Sequence, residues 1–120
     1  MNGIDRDEPI DREAALLRLH GLLERNLTHE PRVRALRWLI GRLEGRHELL
    51  NDLSFFELGI ALEVTSLLWA EAEPGLKARL FSLAAELEDA LLRARDDARR
   101  LRRMVRAARP VGAGWGPPPE

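Results

Sequence analysis

Glu63-Val64-Thr65-Ser66 and, 19 residues further on, Glu86-Leu87-Glu88-Asp89 are the segments of this sequence best suited to hold a cation. Side chains three apart share a helix face, so acidic pairs on two antiparallel helices can aim carboxylates at one Mg²⁺ that in turn holds the phosphates of a nucleotide. Such a site would need Glu63, Glu86 and Asp89 in one place. The spacing alone says little. With 20 acidic residues in 120, about three acidic pairs at this separation arise by chance, and three occur: Asp5/Glu8, Glu8/Asp11 and Glu86/Asp89. Glu44-x-x-His47 has the spacing of a di-iron ligand pair, but such bundles use the motif twice and neither His20 nor His29 has a Glu three residues before it. Ser54, Ser66 and Ser82 fall in helix or cap contexts without a nucleophile elbow, and there is no Gly-rich phosphate loop.

Over about residues 58–92 the two carboxylate segments resemble the all-α nucleotide pyrophosphohydrolases of the MazG type, whose ExxE and ExxD pairs lie on consecutive helices. The resemblance implies a Mg-dependent helical hydrolase with Glu63, Glu86 and Asp89 among its metal ligands. Ser66 stands where that family has its second Glu, which removes one charged ligand. Arg42-x-x-x-x-His47 is similar to the RxxxxH signature of HEPN-type ribonucleases, although 18 arginines and three histidines produce about one such match by chance. The balance of these readings is against an enzyme, with no cofactor and no metal expected.

A different chemistry is concentrated near the end of the chain. Arg93, Arg95, Arg99, Arg100, Arg102, Arg103, Arg106 and Arg109 are opposed locally only by Asp96 and Asp97. The net charge of -1 conceals this polarity, since residues 1–92 carry 11 basic and 17 acidic side chains and residues 93–120 carry 8 and 3. Guanidinium groups spread around a helix suit an acidic protein surface or a phosphate backbone, because they neutralise charge without demanding one orientation. Arg95, Arg99, Arg102, Arg103 and Arg106 are the candidate partner-binding residues. No aromatic is interleaved among them, so base stacking and sequence readout have no evident means, and nucleic acid ranks behind an acidic protein. The plainest alternative is a solvated helix, or one neutralised within the chain by Asp5, Asp7, Glu8, Asp11 and Glu13.

Helices must position all of these groups. Ala, Glu, Lys, Leu and Arg make up 70 of the 120 residues while Val, Ile and Thr supply ten, a composition that favours helix and starves a sheet. Prolines 9, 31, 74 and 110 punctuate it. The periodicity predicts four helices at about 11–26, 29–50, 55–72 and 74–109, forming one domain over 1–109, with a flexible Gly/Pro tail at 110–120 that contains Trp115. Asp11 reads as an N-cap for the first, with Leu16, Leu19, Leu23 and Leu27 as its apolar face. The second opens at Thr28 with Pro31 in its first turn and carries Val33, Leu36, Leu39, Ile40 and Leu43.

Ser54-Phe55-Phe56-Glu57 is a capping box, with Leu53 and Leu58 placed as a hydrophobic staple. The helix it starts is apolar all round, so it is expected to be surrounded, either at the centre of the bundle or in a dimer; Leu62 and Leu67 are the positions that would test it. The run is too short, and too interrupted by Glu57 and Glu63, to cross a bilayer. In the last helix Leu76, Leu80, Leu83, Leu87, Leu91, Ala94, Ala98, Leu101, Val105 and Ala108 form a heptad-like stripe that continues past the length of its neighbours. The fold expected is therefore an all-α four-helix bundle with a long Arg-rich C-terminal helix.

Zero cysteines exclude disulfides and thiol chemistry, and an apolar leader is lacking, so a cytoplasmic protein is expected. The function expected is that of a small interaction or accessory protein, self-associating through its apolar third helix and the outlasting stripe and contacting an acidic partner through its arginines. A degenerate MazG-like hydrolase is the runner-up, and a sequence-nonspecific nucleic-acid-binding protein the third reading.

Overall fold

The computed structural model describes residues 8–108 of the chain. Asp5, Asp7, Arg109 and the expected tail with Trp115 lie outside the described residues. Among the described residues four helices form an all-α bundle: α1 (Arg12–Arg25), α2 (Glu30–Leu43), α3 (Phe55–Glu71) and α4 (Pro74–Ala108). A short 3₁₀ turn at Leu50–Asp52 precedes α3.

Local chemistry accounts for each boundary. The Asp11 carboxylate accepts from the Ala14 N–H at 2.9 Å and starts α1. Before α2 the cap is His29 rather than Thr28, its Nδ1 accepting from the Arg32 N–H at 3.2 Å. Pro31 then sits in the first turn, where its missing N–H is no loss. The helix stops at Leu43, short of the expected end near Leu50. Gly45 adopts φ +93°, the Gly45 N–H donates to the Arg42 carbonyl at 3.1 Å and the Arg46 N–H to the Gly41 carbonyl at 2.8 Å. This is a Schellman stop, and only a residue without Cβ enters it free of strain. Leu50 lies one heptad after Leu43, so the apolar spacing runs on through a segment whose backbone has already turned.

The expected capping box is present. The Ser54 Oγ accepts from the Glu57 N–H at 3.2 Å, and the Glu57 Oε1 accepts from the Ser54 N–H at 2.9 Å. Arg34 from α2 adds its Nε–H to the same oxygen at 3.1 Å and donates through Nη2 to the Asp52 carbonyl. Glu57 is thereby a buried carboxylate that fixes the start of α3 and the loop before it onto α2. Burial pushes its carboxyl up, but the Ser54 N–H and the Arg34 guanidinium outweigh that and hold it below the ordinary value.

The face that α3 buries is narrow: Leu58, Ala61, Thr65 and Leu68, with the Thr65 hydroxyl donating to the Ala61 carbonyl at 2.7 Å. It packs mainly on α2 and α4, while α1 packs chiefly on α2. The expectation that this helix sits at the centre of the bundle is thus corrected, which leaves a dimer as the expected way to bury its outer face. Phe55, Phe56 and Trp69 are exposed, Leu67 is 65 % exposed, and an open groove of about 480 Å³ separates α1 from α3. At the far end, Ile10 pairs with the α3–α4 link as an isolated parallel bridge, its N–H donating to the Glu71 carbonyl and its carbonyl accepting from the Glu73 N–H, both at 2.8 Å. Its side chain is buried in the core.

The Glu73 carboxylate caps α4 by accepting from Gly75 and Leu76. Leu76, Leu80, Leu83, Leu87 and Ala90 then line the core. Arg42 ties α2 to this helix through a 2.8 Å ion pair with Glu86 while lying over the Trp38 ring at 5.1 Å. No helix among the described residues is long and apolar enough to cross a membrane.

Two measurements check this packing. Leu80→Ala should lower unfolding stability in urea by about 2 to 5 kcal/mol, whereas Leu67→Ala should change it by less than about 0.5 kcal/mol; equal losses would contradict the placement of α3. Because the folded Glu57 carboxyl titrates below its ordinary value, it contributes stability above the ordinary carboxylate range, and this is lost as pH falls through the folded value. Glu57→Gln should accordingly weaken the fold most near neutral pH and converge on the parent in acid; a difference that stays constant with pH would contradict the assignment.

Candidate functional site

Ala90 is the last buried residue of α4. Leu91 and Ala94 are half-buried, and every residue from 95 to 108 is exposed, although the helix continues unbroken to Ala108. At 1.5 Å per residue this projection extends about 21 Å beyond Ala94. Its apolar stripe continues that of the buried half with nothing against it: Leu101 is 60 % and Val105 49 % exposed.

The arginines on the projection are not equivalent. At 100° per residue, Arg95, Arg99, Arg102 and Arg106, spaced 4, 3 and 4 apart, fall in one column along one flank of the stripe. Arg103 lies further round the back. On the opposite flank Arg93 is paired with Asp89, and Arg100 with Asp97 at 3.3 Å. Among the described residues Arg95, Arg99, Arg102, Arg103 and Arg106 make no ion pair, so the five expected partner-binding residues are brought onto one exposed element with their charge uncompensated.

The acidic N-terminal residues within the described region are placed away from them. Ile10 is held at the start of α4, and Glu8, Asp11 and Glu13 are within three residues of it. Arg95 is about 32 Å along the helix from Pro74. Intramolecular neutralisation by these three is therefore ruled out by distance.

The carboxylates of the metal reading do not come together. Glu86 is engaged by Arg42 and Asp89 by Arg93, while Glu63 is exposed on α3. No group of three or more metal-ligating side chains occurs among the described residues. Arg42 is likewise occupied with Glu86 and Trp38, and His47 sits exposed in the following loop, so the RxxxxH pair forms no joint site.

A cleft of about 870 Å³ lies beside α2 and is lined by His20, Arg34, Arg37, Trp38, Arg46 and acidic neighbours. Most of its cations are already spent: Arg34 on Glu57, and Arg46 on Glu44 and Glu48 at 2.5 and 3.2 Å. The feature that sequence spacing missed is smaller. At the root of the projection Phe55, Leu91 and Leu92, with Glu88 and Arg95, line a groove of about 390 Å³ at the foot of the arginine column. Leu92 lies off the heptad stripe, which was its one sequence signal.

Comparison of the chain with protein-family models, with curated proteins and with solved structures finds no match. The functional reading accordingly rests on the geometry of α4.

If the projection carries no part of the core, ending the chain after Ala94 should leave a cooperatively unfolding bundle whose stability differs from the parent by less than about 0.5 kcal/mol. Urea denaturation followed by circular dichroism checks this. A loss of cooperativity would mean that residues 95–108 support the bundle.

Proposed function

We propose that this chain is a small helical interaction protein that docks an acidic partner on the projecting half of α4. One observation carries the reading: an exposed, unbroken helix with an uncovered apolar stripe and five arginines that have no ion pair among the described residues. A helix kept only for its own fold has no use for such a length, and a run of like charge disfavours the compact state by self-repulsion. Arg95, Arg99, Arg102, Arg103 and Arg106 supply attraction and on-rate through charge, and Leu101 and Val105 supply apolar area.

Self-association is the second part of the proposal, and the exposed Leu17 and Leu67 at the rims of the α1–α3 groove support it. The projection is the poorer surface for a second copy, since antiparallel helices set like flanks together and would face Arg95 with Arg102.

Polyglutamate serves as an acidic probe for the first part. Changing Arg99, Arg102, Arg103 and Arg106 to Gln should weaken binding and flatten its salt dependence, with circular dichroism unchanged. A folded quadruple variant that binds polyglutamate as tightly as the parent at low salt would refute the docking role. For the second part, light scattering at about tens of micromolar should detect a species larger than a monomer, reduced to the monomer by Leu17→Glu with Leu67→Glu; a strictly monomeric parent would remove self-association from the proposal.

A further inference from the structure

We infer that the partner presents an amphipathic helix, acidic along one edge, which lies along α4 over residues 91–108 and seats one end in the groove beside Phe55. The inference rests on the docking role proposed above and specifies the shape of what docks.

Three features of the projection select this occupant. First, the uncompensated charge is one-sided. Arg95, Arg99, Arg102 and Arg106 line one flank over about 17 Å, while Arg93 and Arg100 on the other flank are already paired with Asp89 and Asp97. A spacing of 4, 3 and 4 matches carboxylates at the same intervals on a neighbouring helix, which guanidinium forks can accept in two-pronged pairs.

Second, the flank adjoins an apolar surface that only a helix of matching period would cover throughout. Leu91, Ala94, Ala98, Leu101, Val105 and Ala108 alternate at 3 and 4 residues, the knob-and-hole period of a two-helix seam. Three of the six are alanine, which lets a second backbone approach closely. At the foot of the column this stripe meets the groove of about 390 Å³ lined by Phe55, Leu91 and Leu92, where α3 begins and the lane beside α4 past that level is open. The docked helix therefore continues the line of α3, and α4 spans both.

Third, the other occupants fit worse. A second copy in parallel would carry its own bundle into the volume that α3 holds beside residues before 91. An antiparallel copy faces arginine with arginine. A nucleic acid would meet the arginines but leave the apolar stripe without a partner; Phe55 offers an aromatic face only at the foot of the column beside Arg95, and none is interleaved among Arg99, Arg102 and Arg106 for successive bases to stack on.

The probes are three: a peptide of about three heptads with Leu at a and d and Glu at e and g, a scrambled peptide of the same composition, and a single-stranded DNA oligonucleotide of similar charge. Fluorescence anisotropy is read with the full chain. The amphipathic peptide should bind at least about tenfold more tightly than either competitor, and Leu101→Asp with Val105→Asp should weaken it by about tenfold or more, as should Arg99→Gln with Arg102→Gln. All four positions are exposed, so the variants should keep the parent's circular dichroism.

Equal binding of the two peptides, or an amphipathic peptide indifferent to Leu101→Asp with Val105→Asp, would overturn the helical partner and leave the charge-based docking role standing. Tighter binding of the oligonucleotide would overturn the helical partner in favour of nucleic acid. Binding of none of the probes would remove both.

Discussion

A helix of 17 residues cannot cover one of 35, and the architecture of this protein follows from that mismatch between α3 and α4. The two run side by side from the Ala72 turn, so the shielding of α4 ends where α3 begins, at Phe55, which shares a groove with Leu91 and Leu92 just past Ala90, the last buried residue of α4. Up to that level the leucine stripe of α4 is core. Beyond it the same stripe, with the same period, stands in solvent. The register does not change at the boundary; only the neighbour is missing.

The boundary is itself fixed by polar chemistry. Without its cap, α3 could fray or start elsewhere, and the length of α4 left uncovered would vary with it. Ser54 and Glu57 close the first turn reciprocally, and Arg34 holds both Glu57 and the loop carbonyl of Asp52. At the other end Ile10 clasps the α3–α4 link through two backbone hydrogen bonds. The pair of helices is therefore pinned at both ends, which makes the level at which the projection emerges a property of the fold. The clasp also keeps Glu8, Asp11 and Glu13 at the opposite end from the arginines, so the charge separation visible along the chain persists in space.

Much of this was legible in the sequence where a local signal had only one physical reading. The capping box, the Asp11 cap, Pro31 in the first turn of α2 and the buried leucines of α2 and α4 are such cases. Signals failed where two periodicities coincided or where a pattern had no direction. Leu50 preserved the heptad from Leu43 across a Schellman stop, so the end of α2 was overrun. The apolar circumference of α3 implied neighbours on every side, but a composition cannot say how many helices are available, and α1 packs chiefly on α2 instead. Ile10 and the Arg34–Glu57 pair were invisible because each joins residues far apart in sequence. For the candidate site, the exposure of Arg95, Arg99, Arg102, Arg103 and Arg106 could be anticipated from their distance beyond the other helices. The groove at Phe55 could not, because it joins the first residue of α3 to the middle of α4.

That residues 95–108 hold a helix at all in solvent needs a cause, since isolated helices of this length are marginal in water. The costly step is nucleation, and the bundle has already taken it within residues 74–90. Each further residue adds a hydrogen bond at little cost, and Ala, Leu, Arg and Met are among the best residues for that extension. Asp97 and Arg100 add a pair of the helix-supporting spacing. What the segment lacks is apolar mass: with alanine at half its seam positions it buries too little area to hold a partner by that alone. Charge without the seam would be equally insufficient, because exposed ion pairs contribute little singly and are screened by salt. In the proposed docking the two act together on adjoining surfaces. With a helix docked over it, the stripe would exclude water beside the arginine column, and a carboxylate brought there would meet a guanidinium in a drier setting than open solvent, where the same pair is worth more.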